Sequence, residues 1–544
     1  MTVTIYRTFC IAFFNKDYDL CMFVSRQNRV LFILFLIVYA ISALITYHVS
    51  RNLLDEDASA ELLLAKCIYD ERSLLPSDWY FGNEYRVNFQ LILAPLFAFF
   101  SDWGIVRFVG VMIMQILLVC SFIFMLWQAK MQPSAILTGC ILILLPWCVA
   151  YGRIVLYHCY YTPCLIFSFL ILGLFFRVYC TNSKPTAVIL FFICLLSCLN
   201  GIRQFYAFFI PFCGVGLWRF LRNNDRKMFF LSLVCMIFGF FGLIINKTVI
   251  MERIHVGNVN ETKYAFNGLS SIFLTVFAIL RQFSYRSNVV RTSFLGFMSL
   301  AGIATAVFSV FSSAKGLLFE KNWNKQILKG FLFVQLLWNM LVFLFYIPPH
   351  FSRYDYSRYL LTASIWVIPL FCCLFEEKRT LLRRVVYWAV LGIFVGNSLL
   401  NFAFFGDPEK FSQDYDGLSY TSTSVVKKYA NPIHFIQSQE YDLGYAVCDA
   451  NVLTEKLNGL PIVWLNKTSD GLVYLNLLTR RSFRNVVSDK AFFIGTYDDA
   501  ASFRAEIAKE EAIQVYSDGE IFIYTLMDQS KFKHHIDIQS YKIN

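Results

Sequence analysis

Runs of about twenty apolar residues recur along this chain, and their recurrence limits its fold more than any other feature. A helix crossing a bilayer needs about 20 mostly apolar residues. Such runs lie near residues 29–49, 104–128, 133–151, 155–178, 186–200, 203–222, 228–249, 292–312, 330–347, 359–376 and 385–404. Hydrophobic residues make up 57% of the sequence and charged ones only 16%, against about 25% charged in an ordinary soluble chain. The sequence therefore predicts a mainly α polytopic membrane protein with about 11 transmembrane helices. A disordered chain, a disulfide scaffold and a nucleic-acid binder are excluded, because too few charges remain to solvate such a surface. Most of the 16 cysteines sit inside apolar runs, where a thiol behaves as a small hydrophobe.

Loop charges give the expected orientation. The net charge of +11 reflects Lys and Arg in short loops, and such loops face the cytoplasm. With an odd number of spans, residues 1–28 are a cytoplasmic N-terminal segment and 29–405 the transmembrane domain. The first outer loop is then 50–103, and the soluble part from 406 to 544 is extracytoplasmic. Arg281, Arg286 and Arg291 break this pattern: either they await an anion or two spans are miscounted. Shorter apolar stretches at 88–101 and 270–280 fall below spanning length and suggest surface or re-entrant helices. In the last part, Ala491–Gly495 and Ile521–Tyr524 read as strands of an α/β domain, the latter after a Ser517-Asp518-Gly519 turn, and 498–511 reads as a helix.

The chemistry concentrates just after the first span. Asp55-Glu56-Asp57 opens what reads as a helix with an apolar face of Leu62, Ala65 and Tyr69. Acids at a helix start cap N–H groups and suit the dipole, but one acid suffices for that. Three of them, with Glu61 one turn beyond Asp57, place charge where it is costly. Downstream, Trp79, Tyr80, Glu84 and Arg86 set aromatic rings beside charged groups. This is the composition of a sugar platform, and equally of a membrane-interface belt. His158, in the aromatic run Tyr157–Tyr161, reads as an interface residue.

These features resemble the GT-C superfamily of polytopic glycosyltransferases, which take sugars from polyprenyl-phosphate carriers. The acidic motif after the first span, the Asp78-Trp79-Tyr80 loop and the Pro-containing helix at Ala94-Pro95-Leu96 carry the resemblance. They look most like bacterial members related to the protein O-mannosyltransferase and lipid A aminoarabinose transferase branch. The His-Pro-Pro stretch of some protein mannosyltransferases is absent, so the resemblance does not extend to a protein acceptor. It implies a first-loop catalytic base, at Asp55 or Asp57, and a multi-pass enzyme of the cell membrane with an outward-facing site. The implied partners are a polyprenyl-phosphate sugar donor, a glycan or lipid acceptor and the bilayer, with no nucleic acid.

The residues suit an inverting transfer. A carboxylate accepts the proton of the attacking hydroxyl while a lipid phosphate departs from the opposite face of the sugar. That leaving group needs cationic donors. Arg203 and Tyr206 in Gly201-Ile202-Arg203-Gln204-Phe205-Tyr206, and Arg353 and Arg358 in the tyrosine-rich stretch 348–359, are candidates, and Glu56 and Glu61 join the substrate-binding set. No cofactor is required, although Asp55 and Asp57 could ligate a divalent metal. No Gly-rich phosphate loop or Walker lysine occurs. The rival readings are a lipid-linked saccharide flippase or transporter, an envelope glycan polymerase or ligase, and a non-catalytic structural or sensing protein.

Overall fold

The computed structural model describes residues 25–52, 56–76, 80–81, 85, 87–253, 255–256, 263–264, 272–273, 275–276, 279–280, 293–347, 360–377 and 381–405. In the C-terminal part it describes 444–448, 462–468, 471–475, 490–496, 512–519 and 521–526. The helices are α1 (Arg26–Asn52), α2 (Glu56–Glu71), α3 (Gln90–Leu96), α4 (Trp103–Gln128) and α5 (Pro133–Ile143). They continue as α6 (Thr162–Thr181), α7 (Lys184–Cys198), α8 (Ile210–Asn223), α9 (Arg226–Ile245), α10 (Ser293–Phe319), α11 (Trp323–Phe345), α12 (Val367–Glu376) and α13 (Leu381–Phe405). Among the described residues, five helical stretches are long and apolar enough to cross a membrane: Arg26–Ser50, Gly104–Gln128, Thr162–Thr181, Arg226–Arg253 and Leu300–Phe319. Pro133–Ile143, Lys184–Cys198, Leu361–Glu376 and Tyr387–Ala403 are shorter apolar helices.

The helices turn large apolar side chains both inward and outward. Leu44, Val188, Phe192, Phe230, Phe311 and Leu399 are exposed, a pattern that a bilayer solvates and water does not. Inside, one aromatic seam joins helices distant in sequence. Phe122 of α4 meets Phe169 of α6 at 5.2 Å, Phe169 meets Trp366 at 5.6 Å, Trp366 meets Phe331 of α11 at 4.4 Å, and Phe331 meets Phe208 at 5.5 Å. Most of these rings meet edge to face, a geometry worth about 0.5–1.5 kcal/mol per pair beyond area burial.

Small residues set the closest approaches, as is usual where helices pack without a hydrophobic driving force. A methyl group on Gly242 of α9 would stand 2.2 Å from the carbonyl oxygen of Leu195 in α7, whereas one on Gly392 of α13 would meet nothing within 4 Å. Backbone cannot yield as a flexible side chain does. Gly242→Ala is therefore expected to destabilise by about 1–3 kcal/mol, and Gly392→Ala to be neutral or stabilising by up to about 1 kcal/mol. Thermal unfolding of the two purified variants in detergent tests the contrast.

The chain between α5 and α6 departs from the expected boundaries at 151 and 155. Pro146 stops α5, since it offers no N–H and biases its predecessor away from helix. The helix resumes at Val149, widens into a π-helical turn over Gly152–Tyr157 and ends at a turn in which Cys159 has φ of 61°. α6 then begins at Thr162 instead of 155, with Pro163 in its first turn. Buried non-helical backbone needs partners from elsewhere in the protein. The Tyr151 hydroxyl donates to the carbonyl of Ile143 at 2.6 Å, the Thr162 hydroxyl to that of Val155 at 2.5 Å, and Asn401 Nδ2 to that of Pro146 at 2.7 Å.

One end of the bundle carries an ionic network. Asp225 caps α9 by accepting from the Met228 N–H at 3.1 Å. Its other oxygen accepts from Arg219 Nη2 at 3.0 Å, Arg219 Nε at 3.2 Å and the Tyr179 hydroxyl at 3.0 Å. Farther along the chain, Lys329 Nζ lies 2.6 Å from Glu320 and 2.7 Å from Glu377, and Lys325 lies 3.1 Å from Glu376. Burial works to raise the Glu320 carboxyl, but the hydrogen bond and charge of Lys329, the Asn322 N–H and the charge of Lys325 outweigh it. Together they hold Glu320 below the usual carboxylate range.

The C-terminal strands form one mixed sheet. With β1 (Gly444–Cys448), β2 (Ile462–Thr468), β3 (Gly471–Leu475), β4 (Lys490–Thr496), β5 (Ala512–Ser517) and β6 (Ile521–Leu526), the order is β3-β2-β1-β4-β6-β5. β1 runs parallel to both β2 and β4, and the other pairs are antiparallel. The two sequence-read strands fall inside β4 and β6, and Gly519 supplies the positive φ of 92° that the turn before β6 needs. The expected helix at 498–511 lies outside the described residues.

Candidate functional site

α2 begins at Glu56, directly after the acid Asp55, so Glu56 and Asp57 occupy its first turn. Its apolar positions recur at helical spacing and are buried: Ala58, Leu62, Ala65 and Ile68. They pack against protein, chiefly α3, and not along a membrane plane as the sequence suggested; only Tyr69 of that face is exposed, its ring 6.5 Å from that of Phe97. Lys66 and Asp70 pair along the outer side of the helix at 2.5 Å, an exposed pair worth at most a few tenths of a kcal/mol.

The strongest feature of this end is a charge that sequence reasoning passed over. Arg107 lies in the second turn of α4 and is fully buried. Its Nη1 donates to the carbonyl oxygen of Ala58 at 2.9 Å and lies 3.4 Å from Glu61 Oε2. Its Nη2 donates to the carbonyl oxygen of His158 at 3.2 Å. The guanidinium also sits 5.6 Å from the Phe89 ring. An arginine inside the apolar run that starts at 104 was the available signal, since a charge within a span is expensive without partners. His158, expected at the interface, is only 1% exposed, because its carbonyl is needed by Arg107 and its ring packs beside Tyr160.

The turn after α7 is fastened to the same region. Asn200 Oδ1 accepts from the Val87 N–H at 2.9 Å, and Asn200 Nδ2 donates to Asn88 Oδ1 at 2.7 Å. Asn246 Nδ2 donates to the Leu199 carbonyl at 2.6 Å. Gly201 turns the chain with φ of 105°, after which Arg203 lays its guanidinium 4.1 Å from the Tyr161 ring centroid, a cation–π contact. Tyr206 is half-buried in the π-helical turn Phe205–Phe209. Arg153, in the π-helical turn Gly152–Tyr157, is buried as well. π-Helical turns occur often at functional sites.

Two short strand pairs join the loops: one ties the first loop to a later one, the other ties two later stretches to each other. Tyr80–Phe81 runs parallel to His255–Val256, and Lys263–Tyr264 pairs antiparallel with Tyr346–Ile347, just before the stretch that holds Arg353 and Arg358. Tyr85, in the first loop, is buried, with its hydroxyl donating to the Leu74 carbonyl at 3.3 Å. Burial pushes its phenol up to about 12, so it stays a neutral donor at any working pH.

Of the sequence-derived candidates, Glu61, Arg203 and Tyr206 are described in full, and all three belong to this end. For Glu56, Asp57 and Tyr80 the backbone is described. Asp55, Trp79, Glu84, Arg86, Arg353 and Arg358, like the Arg281–Arg291 cluster, lie outside the described residues. Among the described residues no group of three His, Cys, Asp or Glu gathers as a metal site.

The sequence matches no protein-family model and no curated protein. Among solved structures, the chain is similar to ArnT from Cupriavidus metallidurans in a crystal structure bound to undecaprenyl phosphate. The identity is 13% and the TM-score 0.43, over 90% of this chain and 97% of that one, a likeness too weak to carry an argument.

Proposed function

We propose that the chain is an integral membrane glycosyltransferase that moves a sugar from a polyprenyl-phosphate donor to an envelope glycan or lipid acceptor on the outer face. The single observation that carries this reading is the Arg107 brace, which ties the acid-bearing first turn of α2 to the turn at His158. Arg203 lies against Tyr161 of that same turn. A helix that only capped itself would need no such anchoring. The Lys- and Arg-rich loops support an N-terminus in the cytoplasm and this end facing out.

In the reaction, Asp55 or Asp57 accepts the proton of an acceptor hydroxyl. The hydroxyl oxygen bonds to the anomeric carbon, and the bond from that carbon to the lipid phosphate oxygen breaks with inversion. The phosphate leaves with the electron pair and needs no proton, so guanidinium groups suffice to stabilise it. Arg203 serves in that role, with Arg353 and Arg358 as further donors. Glu56, Glu61, Trp79, Tyr80, Glu84, Arg86 and Tyr206 complete the substrate-binding set. A divalent ion at Asp55 and Asp57 is compatible with this scheme but not needed by it.

Purified protein in lipid nanodiscs, given hexosyl and pentosyl polyprenyl phosphates, is expected to release free polyprenyl phosphate only when an acceptor alcohol is present. Release matched by new glycoside supports the proposal. No release with any donor, or movement of intact donor across a vesicle bilayer, overturns it, the latter in favour of a flippase.

A further inference from the structure

We propose that Arg107 is a positioning residue: it sets where the first-loop acids stand relative to the turn at His158, and turnover depends on that placement. This rests on the glycosyltransferase reading. A fully desolvated guanidinium is tolerated only with several good partners. Arg107 has partners on two elements outside its own helix. One nitrogen holds the carbonyl of Ala58 and the carboxylate of Glu61, and the other holds the carbonyl of His158. The chain separations are 49, 46 and 51 residues, so local helix formation fixes none of these contacts.

The gripped point matters. Ala58 follows Asp57 directly, and one residue is about 1.5 Å along a helix axis. A change in the Arg107–Ala58 contact therefore displaces the turn that carries Glu56 and Asp57. Because Arg107 is buried, it touches no substrate, and its effect on chemistry passes through α2. Misplacing a reacting group by about 1 Å can cost about 100-fold in rate.

Arg107→Lys separates this role from simple support. Lysine keeps the charge but is a point donor on a flexible stem, unable to bridge Ala58 and His158 as a fork does. Two measurements are made on wild type, Arg107→Lys and Glu61→Gln in nanodiscs. The first is kcat and KM for donor turnover per folded molecule. The second is peptide-resolved maleimide labelling of Cys67, a buried thiol on α2, which requires no activity. Arg107→Lys is expected to lower kcat about 100-fold with KM changed by only a few fold, and to speed Cys67 labelling; Glu61→Gln should do both more weakly. Unchanged kcat in Arg107→Lys overturns the proposal, even if labelling speeds up, since the residue is then an anchor alone. Reduced kcat with unchanged labelling also overturns it, because the effect then does not pass through α2. A wild type that turns over no donor overturns the glycosyltransferase reading itself, an outcome distinct from active wild type with indifferent variants.

Discussion

Converting Asp55 and Asp57 together to Asn is expected to lower sugar transfer by about 10³-fold, within the range that a positioned general base contributes. The substitution discriminates well because asparagine is as good an N-terminal cap as aspartate. If these acids merely start α2, the double variant keeps the hydrogen-bonding capacity of the caps. It then loses only the charge–dipole attraction, about 0.3–1 kcal/mol. If one of them takes a proton from the acceptor, the amide has no basicity to offer and transfer stops. The measurement is acceptor-dependent release of polyprenyl phosphate, alongside size-exclusion profile and thermal midpoint. Folded protein without transfer supports the base; full activity in the double variant removes it. The single variants then separate Asp55 from Asp57.

The largest expected effect on stability lies in the ionic network at the ends of α8 and α9. Asp225→Ala removes the acceptor of two Arg219 donors, of the Tyr179 hydroxyl and of the Met228 N–H. It leaves Arg219, with a side chain 11% exposed, as a nearly buried charge deprived of its carboxylate. Breaking such a pair costs about 3–5 kcal/mol, and loss of the helix cap adds about 1 kcal/mol. Arg219 also donates to Gln326 Oε1 at 2.6 Å, so its displacement disturbs α11 as well. Thermal unfolding in detergent should show a loss of this size for Asp225→Ala and a partial recovery when Arg219 is also made apolar. A change below about 1 kcal/mol would mean the network is solvated and weak.

Much of the architecture is legible in the sequence because the bilayer imposes a simple rule: a run of apolar residues long enough to span becomes a helix. The strands at Lys490–Thr496 and Ile521–Leu526 were readable for a related reason, as short apolar and aromatic runs bounded by turn residues. What hydropathy does not report is pairing. Pro146 marks a helix stop in sequence, but nothing there says that Asn401 closes the gap. Arg107 reads as one charge in an apolar run, and only the fold reveals the carbonyls of Ala58 and His158 around it. Glu61 was singled out from its spacing after Asp57, and the structure gives it a partner 46 residues away. The burial of His158 was missed because an aromatic run near a span end has the same composition whether it meets lipid or protein.

The bond from Asn401 to Pro146 also bears on how the molecule is made. The two residues are 255 apart, so during synthesis the interrupted segment enters the bilayer long before its partner has been translated. Until then the Pro146 carbonyl depends on water, lipid headgroups or the translocation machinery for a hydrogen bond. Arrival of α13 is thus a closing step that retires a temporary partner, and chains truncated before residue 401 should remain clients of membrane quality control.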